Sequence, residues 1–269
     1  LLKKHRSGAR LGHDTTYDHM FLDGLEDAYE EGRAMGTFAQ ETANDYQMTR
    51  EEMDEYSIES LRRANAAIDS GAFADEVVPV TFTTRKGQVT VEHDEQPGKG
   101  RPDKIPQLRP AFAKDGTITA ATSSSISDGA AAVGLSRESV AKANGQQPVA
   151  KIVAMAAHAQ EPAQFTVAPI GAIEKVLDKA GWSADEVELW EVNEAFACVA
   201  MFAMRDIGIP HDKINVNGGG TALGHPIGAS GARIIVTLLN ALKEQGKKKG
   251  IASLCIGGGE ATAVAVEMM

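Results

Sequence analysis

Short apolar runs alternate with segments of helical spacing from residue 148 to the end of the chain. The runs predict strands over residues 149–155, 187–192, 213–217, 250–254 and 261–267. The segments between them predict helices over residues 169–180, 194–207 and 233–245. This order, βαβαβαββ, predicts an α/β fold in which helices pack on a mainly parallel sheet.

The first 122 residues lack this regular alternation and predict an α+β region. Thr49 and Glu52 form a capping box that begins a helix, and Gly71 ends it. A proline-rich loop occupies residues 97–106. The pattern predicts helices over residues 18–35, 38–46 and 50–70, strands over 77–82, 88–91 and 117–120, and a further helix over 128–144.

Three polar side chains stand just past the predicted ends of strands. They are Asn193, His225 and Cys255, and His225 lies in a glycine-rich stretch over residues 217–231. Ligands of α/β sheets bind at the carboxyl ends of strands, so these three groups are expected to meet there. An amide, an imidazole and a thiol that converge are the parts of an acyl-transfer site.

Composition narrows the function classes further. The chain has 269 residues with a net charge of -10, which argues against nucleic-acid binding through bulk charge. Its two cysteines suggest neither a disulfide framework nor a zinc site and favour a reducing, cytoplasmic setting. No apolar run reaches the roughly 18 residues of a transmembrane helix. Because the chain begins at Leu1, we expect it to be part of something longer.

Three stretches of the chain resemble the C-terminal motifs of the thiolase family, which makes or cleaves 3-ketoacyl-CoA thioesters. They read Asn193-Glu194-Ala195-Phe196, Gly224-His225-Pro226-Ile227-Gly228-Ala229-Ser230-Gly231 and Cys255-Ile256-Gly257-Gly258-Gly259. The resemblance implies a helix–sheet–helix–sheet–helix sandwich. Residues 1–122 would be its loop domain, residues 123–147 the closing segment of its N-terminal half, and residues 148–269 its C-terminal domain. It also implies a nucleophilic cysteine in an N-terminal part that this chain lacks.

The resemblance assigns catalytic roles to four residues. Cys255, as a thiolate with a lowered pKa, would exchange a proton with the second substrate. His225 would activate the nucleophile and donate a hydrogen bond to the thioester oxygen. Asn193 would hold a water that completes an oxyanion hole, and the Gly257 N–H would serve a second one. The CoA arm would contact a mostly apolar set: Met35, Phe112, Ser124, Ile126, Ala195 and Phe196.

The implied reaction condenses two acetyl-CoA molecules to acetoacetyl-CoA and CoA, or runs in reverse, with no metal or redox cofactor. The expected partners are acyl-CoA and either a second copy, in a dimer or tetramer, or the missing N-terminal part, with no nucleic acid or membrane. One alternative is a catalytically incomplete chain that binds acyl-CoA or a partner subunit. Another takes Gly218-Gly219-Gly220 as a phosphate loop of a nucleotide-binding domain, although the spacing fits neither common phosphate motif.

Overall fold

The computed structural model describes residues 2, 4–8 and 11–269. Its helices are α1 (His19–Gly24), α2 (Met35–Asp45), α3 (Arg50–Ser70), α4 (Glu138–Ala143), α5 (Ala168–Ala180), α6 (Ala197–Ile207), α7 (Gly220–Leu223) and α8 (Ser230–Glu244). Its strands are β1 (Val80–Thr84), β2 (Gly87–Val91), β3 (Ala150–Ala159), β4 (Leu189–Val192), β5 (Lys249–Ile256) and β6 (Glu260–Met268). No helix in these ranges is long and apolar enough to cross a membrane.

The C-terminal unit is a four-stranded sheet with helices on both faces. Successive residues of β4 point to opposite sides, as strand geometry requires. Trp190 packs into the core beneath α5 and α6, whereas Leu189 packs with Leu238 and Leu242 of α8. The predicted α/β fold is therefore confirmed in its layers, and the carboxyl ends of β4 and β5 lie at one edge.

The sheet is less parallel than the alternation of strands and helices predicts. Its strand order is β3-β6-β5-β4, in which β4 and β5 are parallel and the other two pairs are antiparallel. The hairpin from β5 to β6 causes this, because β6 returns beside β5 and β3 then pairs with β6. The expectation of a mainly parallel sheet is therefore wrong.

The predicted strand over residues 213–217 is also wrong and is reduced to one parallel bridge between Ile214 and Trp190. Asn215 adopts a positive φ of 47°, which strand geometry excludes. Its side-chain amide bonds both backbone groups of Val192, at 2.9 Å to the N–H and 2.8 Å to the carbonyl. A side chain thus takes the place of a ladder partner and turns the chain away from the sheet.

Helix α3 and the hairpin of the first region form as predicted. The capping box of Thr49 and Glu52 is present, and Gly71 ends α3 with a φ of 79°. The predicted helix over residues 18–35 is much shorter, covering only His19–Gly24. The Asp27 carboxyl accepts from the backbone N–H groups of Tyr29 and Glu30, which favours a turn over helix continuation.

Two more predicted elements fail in the middle of the chain. The helix over residues 128–144 is confined to Glu138–Ala143, and Leu135 is 75% exposed. Two glycines weaken this segment, and a helix without a packed apolar face is marginal in water. The strand over residues 117–120 is a single bridge, because the Gln40 side chain accepts from the N–H groups of Thr117 and Ile118.

Candidate active site

Asn193 and Cys255 stand at the same edge of the sheet, as the sequence predicts. Val192 pairs with Ser253 across β4 and β5, and the Asn193 N–H donates to the Ser253 carbonyl at 2.9 Å. Cys255 follows two residues later on β5. The Asn193 side chain is only 1% exposed, and its Oδ1 has no hydrogen-bond partner within the described residues. That oxygen is therefore available to accept from a water or a ligand.

His225 faces Asn193 in a defined tautomer. The Ser230 hydroxyl donates to the Pro226 carbonyl at 3.1 Å, so it accepts from His225 Nδ1 at 2.6 Å. Nδ1 then carries the ring proton, and Nε2 is an acceptor 3.4 Å from Asn193 Nδ2. Burial and, secondarily, the charge of Arg233 lower the pKa of His225 to about 4. The imidazole is therefore neutral at pH 7 and can accept a proton at Nε2.

The Cys255 thiol lies in an apolar setting that corrects one expectation. Its side chain is buried in the main core, and burial raises the pKa of the thiol to about 12. The predicted lowering of this pKa is therefore wrong for the part of the chain that the structure describes, where no charged group offsets the loss of solvent. The Cys255 thiol is therefore protonated at pH 7. Cys198, the other cysteine, is fully buried in α6, as expected for a structural residue.

The residues predicted to bind CoA lie against one another and against the catalytic groups. Ser124 donates from both its N–H and its hydroxyl to the Ala195 carbonyl, at 3.0 and 2.9 Å. Ile126, which is 56% exposed, forms a parallel bridge with His225. The segment over residues 123–126 thus joins two of the three motifs. The Ser124 hydroxyl proton is used within the protein, so only its oxygen remains free to accept from a ligand amide.

Aromatic and thioether side chains form the apolar part of this group. The Phe112 and Phe196 rings meet edge to face, with centroids 5.9 Å apart. Met35 reaches the turn after Cys255, since a Cβ added at Gly257 would lie 3.1 Å from the Met35 sulfur. Ala195 packs on the same core. An apolar wall of this kind suits the thin, uncharged arm of a CoA thioester.

The glycine triplet at residues 218–220 does not form a phosphate loop. A Cβ at Gly219 would lie 2.2 Å from the Glu194 carboxyl carbon, and one at Gly220 would lie 2.7 Å from the Glu194 carbonyl oxygen. The triplet is therefore filled by protein. The Gly218 N–H donates to the Asn215 carbonyl at 2.9 Å and the Gly219 N–H donates to the Ser60 hydroxyl at 3.0 Å, so neither points into an open cradle. Sequence reasoning missed Ser230 and the residues that pack against the triplet, such as Ser60. No local pattern in the sequence marks these residues as part of the site.

Fold and site together define an α/β protein with a paired amide and imidazole at the edge of the sheet where β5 carries a buried thiol. The family model described as "Thiolase, N-terminal domain" matches residues 1–139, and "Thiolase, C-terminal domain" matches residues 146–268. The chain belongs to the thiolase family.

Curated relatives cover nearly all of this chain. An acetyl-CoA acetyltransferase of Rhizobium meliloti (strain 1021) is 47% identical over 98% of the chain and 67% of the relative. A probable acetyl-CoA acetyltransferase of Dictyostelium discoideum is 46% identical over 99% of the chain and 64% of the relative. The chain therefore spans about two thirds of the length of the curated relatives it matches.

Solved structures of thiolases share the fold of this chain. The Bacillus anthracis acetyl-CoA acetyltransferase superposes with a TM-score of 0.93 at 40% identity, covering 100% of this chain and 68% of that one. The Acat5 thiolase from Ascaris suum, solved in complex with coenzyme A, gives 0.88 at 38% identity, covering 100% and 69%. Human mitochondrial 3-ketoacyl-CoA thiolase gives 0.90 at 34% identity, covering 100% and 68%. The thiolase fold predicted from the three motifs is confirmed.

Proposed function

We propose that this chain carries the second-substrate side of a thiolase active site, which condenses two acetyl-CoA molecules to acetoacetyl-CoA and CoA or runs in reverse. The observation that carries the proposal is the contact between Asn193 Nδ2 and His225 Nε2 at 3.4 Å, with a free amide oxygen beside it. The buried Cys255 lies on β5 two residues past Ser253, whose carbonyl accepts from the Asn193 N–H at 2.9 Å.

In the cleavage direction, a nucleophilic thiol gives its proton to His225 Nε2 and attacks the 3-keto carbon of the substrate. The bond between C2 and C3 then breaks, and its electron pair forms the enolate of acetyl-CoA. Cys255, protonated at rest, donates a proton to C2 and releases acetyl-CoA. The His225 proton then returns to the Cys255 thiolate, which restores both groups. A CoA thiol next attacks the acyl carbon and gives its proton to His225, which passes it to the departing thiolate of the nucleophile. Protons and acyl groups move in every step, so the sequence of steps uses no redox cofactor.

Enolate charge develops next to His225 and Asn193. In the proposal, two donors stabilise the enolate oxygen. One is a water held by Asn193 Oδ1, and the other is the Nε2–H of the His225 imidazole after the imidazole has taken a proton. The Gly257 N–H serves the other carbonyl oxygen. A single preorganised donor of this kind is typically worth about 10²–10³ in rate. Met35, Phe112, Ser124, Ile126, Ala195 and Phe196 line the path of the CoA arm, and the CoA complex of the Ascaris relative supports this class of ligand.

The nucleophile of the proposed reaction is supplied from outside residues 1–269. Cys198 cannot serve, because it is fully buried in α6 and burial raises its pKa. We propose that residues 1–122 act as the loop domain, 123–147 as the closing segment of the N-terminal half, and 148–269 as the C-terminal domain. A cytoplasmic homodimer or homotetramer is the proposed setting.

The alternative, a chain that binds acyl-CoA or a partner subunit without catalysis, is less well supported. A binder needs neither the neutral imidazole set by Ser230 nor the free amide oxygen of Asn193. The free amide oxygen is costly, since a buried polar atom without a partner destabilises the fold by about 1–3 kcal/mol.

The test combines two assays of the purified natural protein with the intact mass of every polypeptide that copurifies. One assay follows thiolysis of acetoacetyl-CoA. The other follows exchange of labelled CoA into acetyl-CoA, which needs only the acyl-enzyme half-reaction. We expect Cys255→Ala to lower thiolysis by about 10³-fold, as loss of a general acid does, and to lower exchange much less. His225→Ala should lower both.

Cys198→Ala is the matched control, because it removes the other buried thiol of the same core, which takes no part in the proposed steps. It should retain both activities. Equal loss of thiolysis and exchange in Cys255→Ala would refute its assigned role, and normal exchange in His225→Ala would refute activation of the nucleophile. An inactive wild-type protein that copurifies with its nucleophile-bearing part would favour the binding alternative.

A further inference from the structure

Glu194 is a fully buried carboxyl group that receives five hydrogen bonds from neutral donors. Oε1 accepts from the Tyr56 hydroxyl at 2.8 Å and from Asn215 Nδ2 at 2.8 Å. Oε2 accepts from the Ser60 hydroxyl at 2.9 Å and from Thr221, through its N–H at 3.1 Å and its hydroxyl at 2.7 Å. Its side chain is 0% exposed. Every lone-pair direction of the carboxyl group is thus satisfied by the protein.

These donors belong to three separate segments of the chain. Tyr56 and Ser60 lie one turn apart on α3, and Asn215 lies at the turn that leaves the sheet. Thr221 lies on α7, which ends at Leu223 just before Gly224 and His225. Glu194 itself follows Asn193 directly. One carboxyl group therefore ties the segment that carries Asn193 to the segment that carries His225.

We propose that Glu194 is a positioning residue that sets the 3.4 Å separation between Asn193 Nδ2 and His225 Nε2. It touches neither substrate nor reacting atoms and acts through the two side chains that do. The proposal rests on the proposed thiolase function. It predicts that loss of the carboxyl group impairs the half-reaction that uses the Asn193 water more than the half-reaction that does not.

A glutamine cannot replace this carboxyl group, although it has the same shape. Each side of the group faces an N–H that can only donate: Asn215 Nδ2 on one side and the Thr221 backbone N–H on the other. Whichever way the glutamine amide is turned, its NH₂ opposes one of these donors. Tyr56 gives no relief, because its hydroxyl can turn to accept from the glutamine amide but leaves Asn215 Nδ2 opposed to it, at the 2.8 Å that now separates Nδ2 from Oε1. At least one of these two N–H donors must therefore move away from the glutamine.

The test is Glu194→Gln in the natural protein, alone and combined with Asn193→Ala. We expect Glu194→Gln to lower thiolysis at least 30-fold and CoA exchange less than 3-fold, with KM for acetoacetyl-CoA within 3-fold. The double variant should be no more than 3-fold worse than Asn193→Ala alone, because both changes remove one interaction. Additive losses, or equal losses in both assays, would overturn the proposal.

Glu76→Gln is the matched control. Glu76 is a half-buried carboxyl that accepts from two side chains of α8, Thr237 at 3.1 Å and Asn240 at 2.9 Å. It should leave the ratio of thiolysis to exchange unchanged. Should Glu194→Gln fail to fold, Tyr56→Phe removes one donor and keeps the ring, and a 3–10-fold loss confined to thiolysis is expected. An unchanged ratio in Tyr56→Phe would then refute the proposal.

A crystal structure of Glu194→Gln gives a readout that does not depend on activity. The separation between Asn193 Nδ2 and His225 Nε2 should grow by about 1 Å or more as the glutamine pushes the two segments apart. An unchanged separation would refute the positioning role. Wild-type protein without thiolysis or exchange would instead refute the proposed function, and the measured separation would still decide the role of Glu194.

Discussion

The asparagine loop (residues 193–196) and the cysteine turn (residues 255–259) follow neighbouring parallel strands to the same edge of the sheet, but different forces hold them. Side chains fix the asparagine loop, through the five bonds to Glu194 and the 3.4 Å contact with His225. Backbone geometry fixes the cysteine turn, where Ile256 pairs with Glu260 and Gly258 and Gly259 adopt φ values of 101° and 94°.

Glycines accordingly serve two purposes in one site. In the cysteine turn, the backbone needs conformations that other residues rarely adopt. Beside the asparagine loop, Gly219 has an ordinary negative φ of -133° and is needed for space alone, because the Glu194 carboxyl occupies the volume of its Cβ. A glycine-rich stretch in a sequence therefore does not by itself show a ligand loop, because the neighbour that requires the glycine can be the protein.

The largest expected effect comes from adding one methyl group beside the asparagine loop, at Gly219, and comparing it with one added in the cysteine turn, at Gly257. Gly219→Ala would place its Cβ 2.2 Å from the Glu194 carboxyl carbon, so the carboxyl must leave its donors or the segments must separate. We expect the free energy of unfolding to fall by more than about 3 kcal/mol, with loss of thiolysis. Urea unfolding and the thiolysis assay measure the two effects.

Gly257→Ala is the control on the cysteine side. Its Cβ would lie 3.1 Å from the Met35 sulfur, which sits at the flexible end of a thioether and can move aside. The expected loss of stability is within about 1 kcal/mol. Equal destabilisation by the two variants would show that the two sides are held in the same way.

The sequence predicts the reacting groups well because strand ends mark them. Asn193 and Cys255 follow apolar runs that become β4 and β5, and parallel pairing brings them to one edge. The partners that orient these groups carry no such mark. Tyr56 and Ser60 lie 138 and 134 residues before Glu194, and only the packing of α3 on α7 brings them to it.

The predicted elements that fail do so where side chains satisfy the backbone. Asn215 replaces a strand partner at Val192, and Gln40 caps the N–H groups of Thr117 and Ile118. Apolar periodicity cannot reveal such bonds, since the residues that make them lie far away in the sequence. The predicted helices that become α5 and α8 form as expected, because their apolar faces pack directly on the sheet.

The second prediction concerns pH and tests the histidine beside the asparagine loop. A base must be unprotonated to act, and the His225 pKa of about 4 leaves it neutral well below the usual range. At pH 5.5 an ordinary histidine of pKa about 6.5 would be roughly one tenth neutral. We expect kcat/KM for thiolysis to stay nearly constant from pH 7 to 5.5 and to fall as the pH approaches 4. A tenfold loss by pH 5.5 would show that Arg233 and burial do not depress this pKa in solution.

The third and smallest effect concerns the far end of α3, the helix that brings Tyr56 and Ser60 to Glu194. Thr49→Ala removes the side-chain acceptor for the Glu52 N–H, at 3.2 Å, and half of the capping box. A lost cap of this kind costs about 1 kcal/mol in the free energy of unfolding, which urea titration would measure.

Thiolysis should stay unchanged in Thr49→Ala, because the Glu194 network fixes α3 at Tyr56 and Ser60, away from the frayed first turn. Ser183→Ala, at the capping box of an exposed turn after α5, is the control for loss of a cap far from the site. If Thr49→Ala lowers thiolysis more than 3-fold and spares CoA exchange, the start of α3 positions the asparagine loop. The side chains that hold this loop would then include the cap as well as the five donors of Glu194.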